Sequence, residues 1–279
     1  RANGMKLGDV AQSMTIHDGT AYIVVNNSGI VFGIDPETFR IERVIRGIGS
    51  PRYICFNDSV AYVTSLYEPR IAVVDVATAA VADYIETPDH TSTEQMAIWG
   101  DTLYVSCWSY DDAVLMVDLT SGEVAGEIGV RSQPRQIALD GDGRLWVLTD
   151  GGYGEGSSPK PPALYRIDVG SGSMEREFVF RMGDTPRGLA VGAGGDTVYF
   201  LNGDVWRMDT DAEELPREPF IPASNTIYYA LGVDPRRGDI YVGDAIDYQQ
   251  QGVVYRFSAD GRGLDTLRVG IIPTDFCFR

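Results

Sequence analysis

The sequence predicts an all-β fold, a β-propeller of four-stranded antiparallel blades, and three observations carry that expectation. Residues 93–133, TEQMAIWGDTLYVSCWSYDDAVLMVDLTSGEVAGEIGVRSQ, read as four short strands in succession. QMAI, TLYVS, AVLMVD and EVAGEIGV alternate with period two, are rich in β-branched and aromatic residues, and are parted by turn residues. The same pattern recurs along the chain with a period of about 40–50 residues, which at four strands per unit specifies a propeller. No segment holds an apolar stripe at i, i+3 and i+4 long enough for a helix of three turns.

A single four-stranded sheet of this size buries too little to stand alone, so it must stack on copies of itself. The copies span residues 11–50, 51–92, 93–133, 134–185, 186–226 and 227–272. Each third strand ends in a register mark: Asp35, Asp75, Asp118, Asp168 and Asp209, with Ser258 in the sixth copy. A side-chain oxygen there accepts from the backbone beyond it and starts the hairpin to the fourth strand, an architectural task. Residues 273–279, PTDFCFR, match the opening of another copy and then stop, while residues 1–10 offer at most one strand. Six blades with a redundant strand and seven blades with an incomplete closing blade both fit. The register of PTDFCFR favours seven, in one domain over 1–279, with 273–279 and 1–10 contributing to the closing blade and an upstream segment supplying the missing strands.

The 279 residues carry a formal charge of −17, a field that repels phosphate backbones and excludes nucleic acid as partner, and that otherwise serves solubility. No apolar run approaches a membrane span, and the start at Arg1 shows no signal-peptide pattern. Three cysteines without CxxC spacing exclude a disulfide framework and a sequence-encoded zinc motif. Cys55 and Cys277 occupy equivalent places on expected inner strands and read as inert buried thiols, while Cys107 lies beside Trp108. His17 and His90 leave little material for a His-based metal or proton-transfer site.

Candidate binding residues fall in two sets. The loops between second and third strands are NNSG (26–29), SLYEPR (65–70), CWSYDD (107–112), DGGYGEGSSPKPP (150–162), NGD (202–204) and DAIDYQQQG (244–252). They carry Tyr67, Trp108, Tyr110, Tyr153, Asp244 and Tyr248, and aromatic rings gathered on one loop face read as a binding surface. The alternative is that these rings pack between neighbouring loops. The second set opens the innermost strands: Gln12, Arg52, Glu94, Arg135, Arg187, Tyr229 and Thr274. Three arginines at a channel mouth suit carboxylate, phosphate or amide oxygens, or else staple blades together. Searches for catalytic motifs return nothing with the right setting. DGDG (140–143) reads as a plain turn; Asp111, Asp112, Asp244 and Asp247 are loop acids with no visible partner that would tune a pKa; and the channel offers only Glu94 and Asp275 as carboxylates. No catalytic residue, metal or cofactor is expected.

The stretches PRQIALDGDGRLWVLTD, TLYVSCWSYDDAVLMVDLTSGEVAGEI and LGDVAQSMTIHDGTAYIVVNNSGIVFGIDPETFRI resemble YncE-like, surface-layer-type propellers of Bacteroidota. That family includes the cobalamin-capturing surface lipoprotein BtuG. The resemblance covers essentially the whole chain, but its motifs are blade motifs and none is a ligand motif. It implies an extracytoplasmic protein at the cell surface or in the periplasm, lipid-anchored to the outer membrane through an upstream segment. Such a protein binds a small molecule on its loop face, a corrinoid such as vitamin B12 first, and delivers it as a monomer to an outer-membrane transporter. A structural or protein-interaction propeller of the envelope is one alternative. A lactonase- or quinoprotein-like enzyme is another, disfavoured by the sparse carboxylates.

Overall fold

A computed structural model describes residues 2–152, 159–224 and 226–279. Its strands form six successive antiparallel sheets, the blades of a β-propeller, each running in chain order from its first strand outward. The chain divides into two compact units, one running to Gly129 and including Arg279, the other from Val130 to Phe278.

In the first unit, blade one comprises β1 (Ala11–His17), β2 (Thr20–Val25), β3 (Ile30–Ile34) and β4 (Ile41–Arg46). Blade two comprises β5 (Pro51–Asn57), β6 (Val60–Ser65), β7 (Arg70–Asp75) and β8 (Ala80–Glu86). Blade three comprises β9 (Thr93–Trp99), β10 (Thr102–Cys107), β11 (Ala113–Asp118) and β12 (Glu123–Gly129). In the second unit, blade four comprises β13 (Pro134–Leu139), β14 (Arg144–Thr149), β15 (Ala163–Asp168) and β16 (Met174–Val179). Blade five has β17 (Arg187–Val191), β18 (Thr197–Asn202) and β19 (Asp204–Asp209). Blade six has β20 (Tyr228–Val233), β21 (Ile240–Asp244), β22 (Val253–Phe257) and β23 (Gly263–Arg268).

Alternation along each second strand sends successive side chains into two different cores. On β6, Ala61 and Val63 pack with Tyr22 and Val24 of blade one, whereas Tyr62 packs with Leu103 and Val105 of blade three. On β18, Val198 and Phe200 join Trp146 and Leu164 of blade four, and Tyr199 and Leu201 join Tyr228 and Val242 of blade six. These strands are therefore apolar at nearly every position, like strands covered on both faces.

The aspartates at third-strand ends organise the hairpins that follow. Asp35 Oδ1 accepts from the backbone N–H groups of Glu37 and Thr38, and Asp118 Oδ1 from those of Thr120 and Ser121. Asp75 and Asp168 each accept both the hydroxyl and the backbone N–H of the residue three further on, Thr78 and Ser171. Blade five departs from this pattern. The turn after Asp209 is held by that residue's backbone carbonyl, which accepts from Ala212. In place of an outer strand, a segment with Pro216, Pro219 and Pro222 meets β19 through one bridge, Val205 to Ile221. Proline has no N–H to give a ladder.

The expected seven-bladed arrangement is not what forms: among the described residues the blades number six. Residues 273–279 contain no strand, and neither do residues 2–10. The tail instead lies across blade six. Phe276 and Phe278 sit 6.0 and 5.3 Å from the Tyr241 ring. Phe276 and Pro273 also fill the space that side chains at Gly232 and Gly243 would otherwise take. Partial burial of these apolar groups on a glycine-lined face holds the tail there. Cys277 accordingly lies in this tail, half-buried, and not on an inner strand. At the other end Asn3 holds the Phe39 carbonyl and the Ile41 N–H with its side-chain amide. Among the described residues no helix is long and apolar enough to cross a membrane.

Two outcomes follow from this packing. A methyl group added by Gly232→Ala stands 2.7 Å from Phe276 Cβ; the expected loss is about 1–3 kcal/mol in urea denaturation, with earlier proteolysis of the tail. The second concerns acid. Hydrogen bonds hold four carboxyls below the ordinary carboxylate range: the Thr38 and Glu37 N–H groups for Asp35, Thr78 for Asp75, Thr120 and Ser121 for Asp118, and Ser171 for Asp168. Because the folded values lie below the unfolded one, their contribution is complete above about pH 4 and is lost as pH falls through the folded values. Asparagine at all four sites keeps an acceptor but does not titrate. Stability of that variant, measured by denaturation across the acid range, should fall less steeply.

Candidate functional site

Every first strand is interrupted near its start. The pairing of β1 skips Gln12, that of β13 skips Arg135 and that of β20 skips Tyr229. On β5, Arg52 and Tyr53 stand opposite one residue of β6, and on β9, Glu94 and Gln95 stand opposite one residue of β10. On β17 the skipped pair is Gly188 and Leu189, immediately after Arg187. Such bulges leave a residue outside the ladder, kink the strand and re-aim the side chain. The positions read from the sequence as a ring are thus mostly bulge positions; Thr274 falls in the tail. Hydroxyls satisfy the groups the bulges release. Tyr53 N donates to Thr64 Oγ1 at 3.0 Å and Gln95 N to Ser106 Oγ at 3.1 Å. Thr64 Oγ1 donates onward to the Glu94 carbonyl at 2.7 Å, and Ser13 Oγ to the Arg52 carbonyl at 2.7 Å.

In the first unit these bulges bring three blades together. Arg52 donates from Nε and Nη2 to the two Glu94 oxygens, both at 2.6 Å, and from Nη1 to Gln12 Oε1 at 2.7 Å. Both charged side chains are buried, Glu94 completely. Burial opposes the Arg52 charge, but the Glu94 carboxylate outweighs it and lifts the guanidinium above its ordinary pKa. Arg52 therefore staples blades, with its charge already matched. Its guanidinium lies over the Trp108 ring at 5.4 Å.

The loop aromatics lie on the segments that follow β6 and β10. Tyr67 and Tyr110 are each 72% exposed, and their φ angles are +75° and +64°. A bulky L-residue in the left-handed region carries roughly 1–3 kcal/mol of strain. Trp108 is half-buried and fixed by its backbone N–H to the Ser92 carbonyl at 2.8 Å.

In the second unit, Arg187 lies over Tyr229 at 5.5 Å, and Tyr229 meets Tyr248 edge to face at 5.7 Å. Tyr248 is half as exposed as a free side chain and has φ +63°. Asp244 turns inward and organises its loop: Oδ1 accepts from Ile246 N at 2.8 Å and Ile227 N at 3.2 Å. Asp247 similarly accepts from the Gln249 and Gln250 N–H groups. Arg135 is half-buried on its bulge, and the neighbouring Gln136 Oε1 accepts from Gly188 and Leu189. Asp140 of DGDG is a turn residue, bonded to Asp142 N, Arg144 N and the Trp146 indole. Tyr153 lies outside the described residues.

Two features escaped the sequence. Asp111 has a partner after all, since its Oδ2 lies 2.9 Å from His90 Nδ1, 21 residues away, a spacing no local motif encodes. In the second unit, where blade five lacks an outer strand, a groove of about 850 Å³ is lined by Phe180, Asn202, Trp206, Leu215 and Arg217.

With this geometry in hand, the sequence model of a family described as a domain of unknown function (DUF5074) matches residues 1–269. The chain belongs to that family. No curated protein matches it. Among solved structures it is similar to Kuenenia stuttgartiensis hydrazine synthase, at TM-score 0.74 and 16% identity over 98% of this chain and 92% of that one. It is also similar to a quinonprotein alcohol dehydrogenase-like protein from Bacteroides thetaiotaomicron VPI-5482, at TM-score 0.70 and 16% identity over 96% and 68% of the two chains. A computationally designed protein, Ika8, aligns at TM-score 0.68 and 13% identity over 95% and 77%. At such identities the likeness concerns the β-propeller fold alone. None of these matches establishes the narrower YncE-like resemblance of the blade motifs.

The Arg52–Glu94 pair generates a prediction. Glu94→Gln leaves a buried guanidinium without its counter-charge, at an expected loss of about 3–5 kcal/mol in denaturant unfolding. The double variant Arg52→Met/Glu94→Leu should recover most of that loss.

Proposed function

We propose that this DUF5074 protein is a non-catalytic binding protein that captures a small organic molecule on the loops between the second and third strands of its blades. One observation carries the reading: Tyr67 and Tyr110, from neighbouring blades of one unit, are both largely exposed and both held on left-handed backbone. Exposure and strain each cost stability, and a ligand stacked on the two rings offsets both. Tyrosine suits the task because its broad amphipathic ring loses little conformational entropy on contact. The half-buried Trp108 ring, on the same loop as Tyr110 and over the Arg52 guanidinium, supplies further apolar surface.

A broad, flat ligand fringed with amides fits such a surface, and the resemblance of the blade motifs makes a corrinoid the first candidate. Placement at the outer cell surface on a lipid anchor, with delivery to an outer-membrane transporter, belongs to the same proposal. Calorimetric titration with cyanocobalamin is the test. A saturable, stoichiometric heat is expected, and Tyr67→Ala/Tyr110→Ala should weaken binding at least about tenfold, or 1.4 kcal/mol, without lowering the melting temperature. No heat at high micromolar ligand would remove corrinoids, and unchanged affinity in the double variant would move the site off these loops.

A further inference from the structure

The connection entering blade three and the loop leaving β10 bring three metal-ligating side chains to one point. His90, Cys107 and Asp111 each offer one ligand atom, and these atoms all lie within 4.8 Å of one another. Each side chain is oriented by the fold. Asp111 spends Oδ1 on the backbone N–H groups of Asp112 at 2.8 Å and Ala113 at 3.2 Å, which leaves Oδ2 directed at His90 Nδ1, 2.9 Å away. His90 is fixed by two bonds to Thr87: its backbone N donates to the Thr87 carbonyl, and its own carbonyl accepts from Thr87 Oγ1, both at 2.9 Å. Its second ring nitrogen, Nε2, lies 3.3 Å from Glu127 Oε2. Cys107 closes the point from within, 0% exposed at the end of β10.

We infer that this point is a binding site for a divalent transition metal of the zinc type, held by His90 Nδ1, Cys107 Sγ and one Asp111 oxygen. Glu127 is the outer partner that accepts from the Nε2–H and orients the ring, the arrangement metal-bound histidines ordinarily have. One sulfur, one imidazole and one carboxylate form a borderline-soft set that suits zinc and disfavours magnesium or calcium. Zinc bonds are about 2.0–2.3 Å long, and side chains gathered this closely reach them by rotation about their own torsions. On binding, the Cys107 thiol proton leaves to solvent, and thiolate and carboxylate together balance the two positive charges of the metal. The His90 and Asp111 side chains keep 16% and 14% exposure, so water reaches the fourth coordination position. Bound metal would pin the loop that carries Trp108 and Tyr110 to the connection before β9. The inference does not depend on what that loop captures.

The test uses the purified protein after dialysis against chelator. Titrated with cobalt(II), it should take up one equivalent and develop a thiolate-to-cobalt charge-transfer band with the strong visible bands of a four-coordinate site. Titrated with zinc, it should release heat to the same stoichiometry and unfold at a higher temperature. Cys107→Ser should abolish the charge-transfer band. Glu127→Gln changes a side chain that is 65% exposed, so the fold tolerates it, and zinc affinity should drop about 10–100-fold. Failure to take up a stoichiometric metal at micromolar concentration would overturn the inference, as would a charge-transfer band that survives Cys107→Ser. Either result would leave His90 and Asp111 as a hydrogen-bonded pair that fixes a loop.

Discussion

A four-stranded blade has two apolar faces and covers neither by itself. This constraint explains why second strands such as VAYVTS (Val60–Ser65) and TVYFLN (Thr197–Asn202) are apolar almost throughout. Tyr62 and Val63 are adjacent in sequence yet belong to different cores, one shared with blade three and the other with blade one. The inner and middle strands are thereby committed to packing. What remains for function is the bulged start of each first strand and the loops beyond each second strand.

At those places the chemistry is dominated by acidic and hydroxyl side chains serving the backbone. Asp244 and Asp247 hold their loop, Asp111 holds another with one oxygen, and Thr64 and Ser106 fill bulges. Among the described residues the strongly buried charges of the first unit, Arg52 and Glu94, match each other, and Arg52 also bonds Gln12. A buried pair of this kind adds little net stability over an apolar replacement, but it fixes register, because only one alignment of the three blades satisfies all its bonds. The loops bearing Tyr67 and Tyr110 therefore rise from a rigid floor. Their rings are exposed on left-handed backbone, a conformation that also occurs at turn and strand-entry positions such as Asp18, Ser50, Asp58 and Gln133.

What the sequence determined by itself is whatever depends on neighbours along the chain. AVLMVD, ALYRID, TVYFLN and VWRMD are strands β11, β15, β18 and β19 as read, because alternation and turn residues act over a few positions. The hairpin role of Asp35, Asp75, Asp118 and Asp168 was legible for the same reason: each bond spans two or three residues. Blade five is a partial exception. Its register aspartate is present, but the prolines that follow remove donors an outer strand would need.

Tertiary structure alone decided how many blades form, where the tail goes and which polar groups meet. PTDFCFR resembles the start of a repeat, yet Gly232 and Gly243 open a face on blade six that receives its Pro and Phe side chains. A missing side chain carries no local signal of what will fill the space. Arg52 meets Glu94 across 42 residues, and His90 meets Asp111 across 21. These partners are brought together by packing of whole blades and by bulges that turn side chains out of register. Alternation and turn chemistry are properties of a one-dimensional pattern; counter-charges, ligand clusters and filled gaps are properties of distance in three dimensions, and only the folded chain defines that distance.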